Sequence, residues 1–244
     1  MLDLKKELDT LLSQLPDAAA IREKLETLVS VYPFNEYEFI ISHLLSKGVL
    51  TLDQYLELRD DYISRNMYLY IFEISGPRTF GESWAQGHLK ELVPELSKST
   101  KKLDPTYSGQ YDFLLDGKIK IEVKASRGVD AELDAPLYVK ALAKDSGRPF
   151  WMNFQQVKCG CCDVLVFIAV WRDVINYWVF SSNEVGCHPR YSKGQHRGNI
   201  GEGQLHMTHE NIREFDMYAV PSNKLADAIR AAYERQMHSV QRGN

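Results

Sequence analysis

The chain has 244 residues, 44% apolar and 25% charged, so it can bury a core as one domain or as a domain with a subdomain. Its longest apolar run, residues 164–171, is too short to span a bilayer, and its first residues lack the apolar core of a signal peptide. We therefore expect a cytoplasmic protein. The net charge of −4 and the pI of about 6.0 argue against a protein that coats nucleic acid through bulk positive charge, although local basic clusters exist.

Apolar residues recur three and four positions apart in the first third of the chain, which predicts helices. These helices are expected at residues 3–14, 17–31, 35–47 and 52–64. We expect them to form an N-terminal helical subdomain, residues 1–75, before a core of residues 76–244. The turn at Gly48 invites a helix-turn-helix interpretation, but the helix after it is rich in acidic residues and suits a phosphate surface poorly. Packing on the core or a dimer contact is therefore favoured.

A further helix is predicted at residues 81–96, where Glu82 and Gln86 lie one turn apart on the same face. Glu91 follows on the same helix. A glutamate in the first turn of a helix complements the positive end of the helix dipole, so Glu82 has an ordinary structural interpretation beside any functional one.

Residues 111–124 are the most informative stretch of the chain. Charged and aliphatic residues alternate from Lys118 to Lys124, which predicts a strand with one buried face. Glu122 and Lys124 then share the polar face, and Asp112 stands ten positions before Glu122. Two carboxylates beside an ammonium group can hold Mg²⁺, which activates water for phosphodiester hydrolysis. An ordinary edge hairpin with solvated charges is the alternative.

The turn of this hairpin decides whether the two carboxylates share a face. Asp116-Gly117 between apolar runs is typical of a hairpin tip. A two-residue loop there would turn Asp112 toward the apolar face of the second strand. A three-residue loop, residues 115–117 with the glycine left-handed, would place Asp112 opposite Lys120 on the polar face. We therefore predict the three-residue loop, or a bulge of the same parity.

The second half of the core is predicted to contain helices and strands. A helix is expected at residues 133–144, followed by strands at 163–171 and 176–180. Gln155 precedes the first of these strands and could reach a bound phosphate; a surface amide is the alternative. An amphipathic helix is expected at residues 223–236.

A polar, glycine-rich stretch at residues 189–206 predicts a long loop or a set of turns. We interpret about residues 186–206 as a DNA-contacting loop, because its side chains are those that meet phosphates and base edges. A flexible solvated loop is the alternative. The candidate DNA contacts are Arg190, Lys193, Gln195, His196 and Arg197, together with Gln155.

Three cysteines, Cys159, Cys161 and Cys162, cluster before the predicted apolar strand, and Cys187 stands beside His188. A zinc site usually shows two pairs of ligands two to four residues apart, and this spacing is more crowded. Reduced thiols are therefore favoured over structural zinc. A catalytic cysteine lacks the accompanying histidine and aspartate pattern.

Asp112, followed by Glu122-x-Lys124 on a strand after a glycine-containing turn, resembles the motif of the PD-(D/E)XK nuclease superfamily, which has the restriction-endonuclease-like fold. The predicted order of helix, hairpin, helix and strand over about residues 78–182 is similar to the core of that family. Tyr111 stands in place of the leading proline, which many members lack. The resemblance implies an α/β (α+β) fold with a mixed central sheet flanked by helices.

The resemblance also implies roles for individual residues. Asp112 and Glu122 would hold one or two Mg²⁺ ions, and Lys124 would be the catalytic lysine. Such nucleases often carry another acidic residue on the preceding helix, and Glu82 is favoured over Glu91 for that role.

The resemblance is strongest to type II restriction endonucleases, because the compact chain carries no ATPase or modification module. Such an enzyme is usually a homodimer that cuts unmethylated double-stranded DNA and leaves 5′-phosphate ends. It would be paired with a cognate DNA methyltransferase that modifies the same sequence without being a physical partner.

Two other functions remain open at this stage. A structure-selective repair or recombination nuclease would use the same core on junctions or flaps. A DNA-binding or assembly protein would keep the nuclease fold without hydrolysing phosphodiesters. The Gln, His and Arg side chains of residues 189–206 favour an enzyme that recognises a DNA sequence over one that recognises a DNA structure. The complete set of Asp112, Glu122 and Lys124 argues against a protein that has lost catalytic activity.

Overall fold

The computed structural model describes residues 8–27, 33–194 and 201–242. It shows a mixed α+β fold in which a mixed sheet is flanked by helices and packs on a second sheet. In the described ranges, no helix has both the length and the apolar character needed to cross a membrane.

The helices lie in the N-terminal region and on one side of the core. They are α1 (Ala18–Thr27), α2 (Pro33–Ser46), α3 (Leu52–Arg65), α4 (Gln86–Leu92), α5 (Ser182–Gly186) and α6 (Leu225–Arg242). A π-helix, Thr79–Ala85, runs directly into α4. Short 3₁₀ turns occur at Leu69–Glu73, Ile212–Tyr218 and Ser222–Lys224.

The strands form two separate sheets. They are β1 (Ser97–Lys98), β2 (Phe113–Leu115), β3 (Ile119–Arg127), β4 (Val129–Asp130), β5 (Phe150–Val157), β6 (Val164–Val170), β7 (Ile175–Ser181), β8 (Tyr191–Lys193), β9 (Gly203–Thr208) and β10 (Ala219–Val220). The first sheet has the order β1-β2-β3-β6-β7-β10. Strands β3 and β6 are parallel, and all other neighbouring strands in this sheet are antiparallel. The second sheet, β4-β5-β9-β8, is antiparallel.

Strand β6 is the centre of the core, and every one of its residues is buried. A strand covered on both faces carries a continuous apolar run, which is what its sequence shows. Val166 and Ile168 pack in the cluster that includes the π-helix, α4 and α6. Leu165 and Phe167 pack in the cluster that includes β5 and β9. The core therefore has three layers: helices, the first sheet and the second sheet.

The N-terminal helices have a hydrophobic cluster of their own, formed by residues between Leu8 and Tyr62. Thr51 begins α3 with a capping box, which supplies partners for two backbone N–H groups at the helix start. The predicted N-terminal helices are confirmed within the described ranges, while residues 3–7 and 28–31 of the prediction lie outside them.

Several predicted core elements are confirmed with shifted ends. The two predicted strands correspond to β6 and β7, and the C-terminal helix begins at Leu225 and continues to Arg242. The helix predicted at 81–96 is formed by the π-helix and α4, and it ends at Leu92. Val93 leaves the helical region because it precedes Pro94, whose ring disfavours helical geometry in the residue before it.

The helix predicted at residues 133–144 is wrong, because that segment consists of turns. Its backbone makes non-helical hydrogen bonds instead: the Asp130 N–H donates to the Lys140 carbonyl at 2.8 Å, and the Leu142 N–H donates to the Gly128 carbonyl at 3.0 Å. Pro136, in the middle of the predicted helix, has no N–H to donate.

The long loop predicted at residues 189–206 is wrong in its outer parts. Tyr191–Lys193 and Gly203–Thr208 form paired strands, and residues 195–200 lie outside the described ranges. Strand β5 was likewise not predicted from the sequence. In β9, buried Leu205 and Met207 alternate with polar neighbours over only six residues, and the strand is stabilised because the core covers its apolar side.

Candidate active site

The hairpin of β2 and β3 has a three-residue loop, but not the one predicted. Leu115 pairs with Ile119, so the loop consists of residues 116–118, and Leu114 rather than Asp112 lies opposite Lys120. Two consecutive loop residues, Asp116 and Gly117, have positive φ angles of 53° and 67°. The predicted pairing of Asp112 with Lys120 is therefore wrong.

Asp112 lies just beyond the paired residues of β2 and attaches to the edge of β3. Its N–H donates to the Ile121 carbonyl at 2.8 Å. Its carboxylate oxygen Oδ2 accepts a hydrogen bond of 2.8 Å from the Val123 N–H. The carboxylate therefore lies beside the backbone of β3 at the level of Glu122.

Glu122 and Lys124 are two residues apart on β3, and their side chains form an ion pair of 2.7 Å. Glu122 is only 8% exposed. The flanking residues Ile121 and Val123 pack into the cluster on the opposite face, as the alternation of the sequence predicts.

A buried glutamine completes the surroundings of Asp112. Gln86, the first residue of α4, donates from Nε2 to Oδ1 of Asp112 at 2.5 Å. The same side chain accepts a hydrogen bond through Oε1 from Lys98, a residue of β1. The negative charge of Glu82 is close enough to raise the pKa of Asp112, but Glu82 itself pairs with Arg78 at 3.5 Å and is mostly exposed. Gln86 rather than Glu82 thus makes the direct contact.

Glu91, the competing acidic residue on the same helix, is exposed, and its negative charge acts on the pKa of His88. Lys98, which donates to Gln86, lies on β1. No local pattern indicates that it meets Gln86, because the contact depends on how β1 approaches α4.

Burial raises the pKa values of both carboxyl groups. Burial is the main cause for Asp112, with the Val123 hydrogen bond and the charge of Lys124 acting in the opposite direction. Burial likewise raises the pKa of Glu122 to about 7, the charge of Lys124 opposes that rise, and the charge of Asp112 adds to it. Loss of contact with water therefore disfavours the charged forms of both carboxylates.

A bound divalent cation would offset this cost of burial by stabilising the charged forms of the two carboxylates. Each oxygen of Asp112 accepts one hydrogen bond and keeps a lone pair for a further ligand. Over the described part of the chain, no group of three or more His, Cys, Asp or Glu side chains could hold a metal ion. The two carboxylates fit Mg²⁺, which binds through one or two carboxylates and keeps several water ligands.

Two further groups near the carboxylates were not singled out from the sequence. The negative charges of Asp112 and Glu122 help burial to raise the pKa of the Tyr107 hydroxyl. Lys158, which follows β5, acts on Glu122 through its positive charge and pairs with Glu202 at 3.1 Å. The end of the second sheet therefore adjoins the carboxylates.

The side chains predicted to contact DNA differ in whether they are exposed or already paired with another residue. Arg190 forms a two-point ion pair with Glu214, with nitrogen–oxygen distances of 2.5 and 2.9 Å. Lys193 is exposed on β8, and Gln155 is exposed on β5. Three of the candidates, Gln195, His196 and Arg197, lie outside the described residues.

All four cysteines are free thiols. Cys159 and Cys187 line a cavity of about 550 Å³ together with Tyr191 and Glu202. Burial raises the pKa of the Cys162 thiol, so this side chain is an unreactive part of the core.

The fold and the site together define a mixed α+β protein whose central sheet presents a buried and a half-buried carboxylate beside a lysine. No protein-family model matches this chain, and no curated protein or solved structure matches it either.

Proposed function

We propose that this protein is a Mg²⁺-dependent, sequence-specific endonuclease for double-stranded DNA, with the restriction-endonuclease-like fold of the PD-(D/E)XK superfamily. One observation carries the proposal: Asp112, Glu122 and Lys124 converge at the edge of one strand, although Asp112 comes from a different strand segment. Carboxylates that lie close together beside a fixed ammonium group are suited to metal-assisted hydrolysis of a phosphodiester.

The order of elements around the site supports the superfamily. The π-helix and α4 precede the β2–β3 hairpin, and β3 lies parallel to β6, which is followed by the antiparallel β7. One feature departs from the expected core: the crossover from β3 to β6 contains β4 and β5 in place of the predicted helix.

In the proposed reaction, Asp112 and Glu122 hold the ion. When bound, Mg²⁺ supplies a water of lowered pKa and stabilises negative charge on the phosphate. The water oxygen bonds to phosphorus as the bond from phosphorus to the 3′ oxygen breaks, leaving a 5′-phosphate and a protonated 3′-hydroxyl. Lys124, held against Glu122 at 2.7 Å, orients the water and neutralises charge on the phosphate.

The biological setting of such an enzyme follows from its chemistry. A homodimer would bring one site to each strand of a palindromic sequence. A cognate DNA methyltransferase would protect the same sequence in the cell's own DNA, and the enzyme would act in the cytoplasm on unmethylated duplex DNA.

Cleavage of unmethylated phage DNA tests the proposal. The purified protein is incubated with graded Mg²⁺ and with EDTA, and the ends of the products are sequenced. We expect discrete fragments that share an end motif, and no cleavage in EDTA or by Glu122→Gln or Lys124→Ala. Lys144→Ala removes an exposed lysine elsewhere and is the matched control. A smear without an end motif would indicate a structure-selective or nonspecific nuclease, and intact DNA would contradict the proposal.

A further inference from the structure

The paired strands β5 and β9 carry an uncharged, polar outer face. Their inward residues, including Met152, Phe154, Leu205 and Met207, are fully buried in the core. The side chains between them alternate to the outside. This face, called the β5–β9 polar face below, consists of Trp151, Asn153, Gln155, Gln204, His206 and Thr208.

The side chains of this face are held in pairs across the two strands. The rings of Trp151 and His206 stack with 5.8 Å between centroids and 8° between planes, and Trp151 Nε1 donates to His206 Nδ1 at 3.2 Å. Asn153 Nδ2 donates to Gln204 Oε1 at 2.9 Å. These contacts hold the side chains in place before any ligand binds, which lowers the entropy lost on binding.

Two features of this face are unusual for a surface with only a structural role: an exposed aromatic ring and a buried oxygen atom without a hydrogen bond. Trp151 is 49% exposed, although its ring would be more stable in contact with apolar groups. Asn153 Oδ1 is buried and has no hydrogen-bond partner among the described residues. An unpaired buried acceptor costs stability, which is expected where a side chain is kept for binding rather than for folding.

The β5–β9 polar face is continuous with the candidate active site. The ladder of β5 and β9 shifts register between Phe154 and Val157, and the bulge exposes Gln155 and Gln156. Lys158 follows this bulge, and β5 packs against β3, the strand that carries Glu122. A strand rises about 3.3 Å per residue, so Asn153 lies on the order of 17 Å along the strand from Lys158, roughly five base pairs of DNA.

Building on the proposed function, we propose that the β5–β9 polar face enters the major groove and reads base edges, with Asn153 and Gln204 as specificity-determining residues. The flanking strands pair only at the ends of this face, β4 beside Trp151 and β8 beside Gln204. Between them, at Asn153 and His206, the face is two strands about 5 Å apart, which fit a major groove about 12 Å wide. Amide side chains pair with the two groups that adenine presents there. A surface that only held phosphates would carry cations, and none of the six residues is charged.

Selection from random DNA tests this inference separately from catalysis. Glu122→Gln protein, with the face intact, is mixed with a random duplex library, and bound DNA is sequenced. We expect an enriched motif that loses its preference at one or two A·T pairs when Asn153→Ala or Gln204→Ala is added. Affinity for DNA without the motif should stay within about twofold, because phosphate contacts are unchanged. Thermal melting checks that each variant folds.

Matched controls and outcomes separate the two proposals. Asn223→Ala removes an exposed amide outside this face and should leave every position of the motif unchanged. Cleavage of the selected sequence by otherwise wild-type protein should fall 10- to 100-fold with Asn153→Ala or Gln204→Ala, the cost of about one lost base contact. An unchanged motif in both variants would overturn the inference, as would a library with no enriched motif. An enriched motif without Mg²⁺-dependent cleavage would overturn the proposed function alone.

Discussion

Gln86 and Asp112 are 26 positions apart in the chain, yet Nε2 of Gln86 donates a hydrogen bond of 2.5 Å to Oδ1 of Asp112. The other oxygen of Asp112 accepts from the Val123 N–H at 2.8 Å. Both oxygens are therefore held, and the carboxylate has one orientation at the edge of β3. Because Gln86 also accepts from Lys98, its amide joins the helix, the hairpin and β1 at the point where a cation would bind.

Replacing Gln86 by leucine tests this positioning. Gln86→Leu keeps the volume of the side chain but removes both hydrogen bonds, so Asp112 loses a fixed orientation. We expect kcat for cleavage of phage DNA to fall about 10-fold or more, with little change in KM for DNA, in line with the loss of one hydrogen bond to a charged group. Steady-state kinetics at saturating Mg²⁺ measures this.

A kcat within twofold of wild type would show that the Gln86 contact is only structural. Glu82→Gln, one turn earlier on the same helix, is the comparison, because Glu82 makes no direct hydrogen bond to Asp112 and should have a smaller effect.

The raised pKa of Glu122 predicts how stability depends on pH without metal. Burial raises this pKa from 4.5 to about 7 in the folded protein. Below pH 4.5 the carboxyl is protonated in both the folded and unfolded states, so it has no effect. As pH rises toward 7, the unfolded state loses the proton first, and the folded state becomes relatively less stable by up to about 3 kcal/mol.

Glu122→Gln should remove the loss of stability that accompanies ionisation of Glu122 as the pH rises. In EDTA, we expect the free energy of unfolding of the variant to exceed that of wild type increasingly from pH 5 to pH 8, as measured by urea denaturation at each pH. The difference between the two proteins isolates Glu122 from other titrating groups. A difference that is constant with pH would contradict the raised pKa.

Divalent cation should stabilise the protein through the same carboxylates. A ligand that binds the folded state at 100 times its Kd adds about 2.7 kcal/mol, so Mg²⁺ should raise the Tm measured by calorimetry. Asp112→Asn should abolish the rise, because it removes one of the two carboxylates of the proposed cation site. Asp145→Asn, an exposed residue elsewhere, is the control. An equal rise in the Asp112 variant would locate the cation at another place.

Gly128 allows the backbone between β3 and β4 to approach the buried Trp171 closely. A Cβ at residue 128 would lie 2.7 Å from two ring atoms of Trp171, which is fully buried and has no room to move. Gly128→Ala should therefore destabilise the protein by about 1–3 kcal/mol in urea denaturation.

Gly87 is the matched control for this substitution. It lies within α4, and an added Cβ would meet nothing within 4 Å. Gly87→Ala should leave stability unchanged or raise it by about 0.5–1 kcal/mol, because alanine favours a helix over glycine. Equal destabilisation by both substitutions would show that the Trp171 contact is not the cause.

The sequence alone predicted those features that depend on neighbouring residues. The alternation from Lys118 to Lys124 predicted a strand with Glu122 and Lys124 on one side, and the ion pair between them agrees with it. The continuous apolar run predicted β6, because a strand buried on both faces needs apolar residues at every position. Periodicity likewise predicted the described N-terminal helices.

Tertiary structure alone decided the contacts that complete the site. Gln86 rather than Glu82 reaches Asp112, and Lys98 and Lys158 approach the carboxylates from β1 and from the end of β5. These approaches depend on how helices and sheets pack, which no spacing within a single segment encodes. The second sheet likewise depends on packing: β5 and β9 pair because their inward residues cover the central sheet, and the two- and three-residue strands β4 and β8 add to their edges.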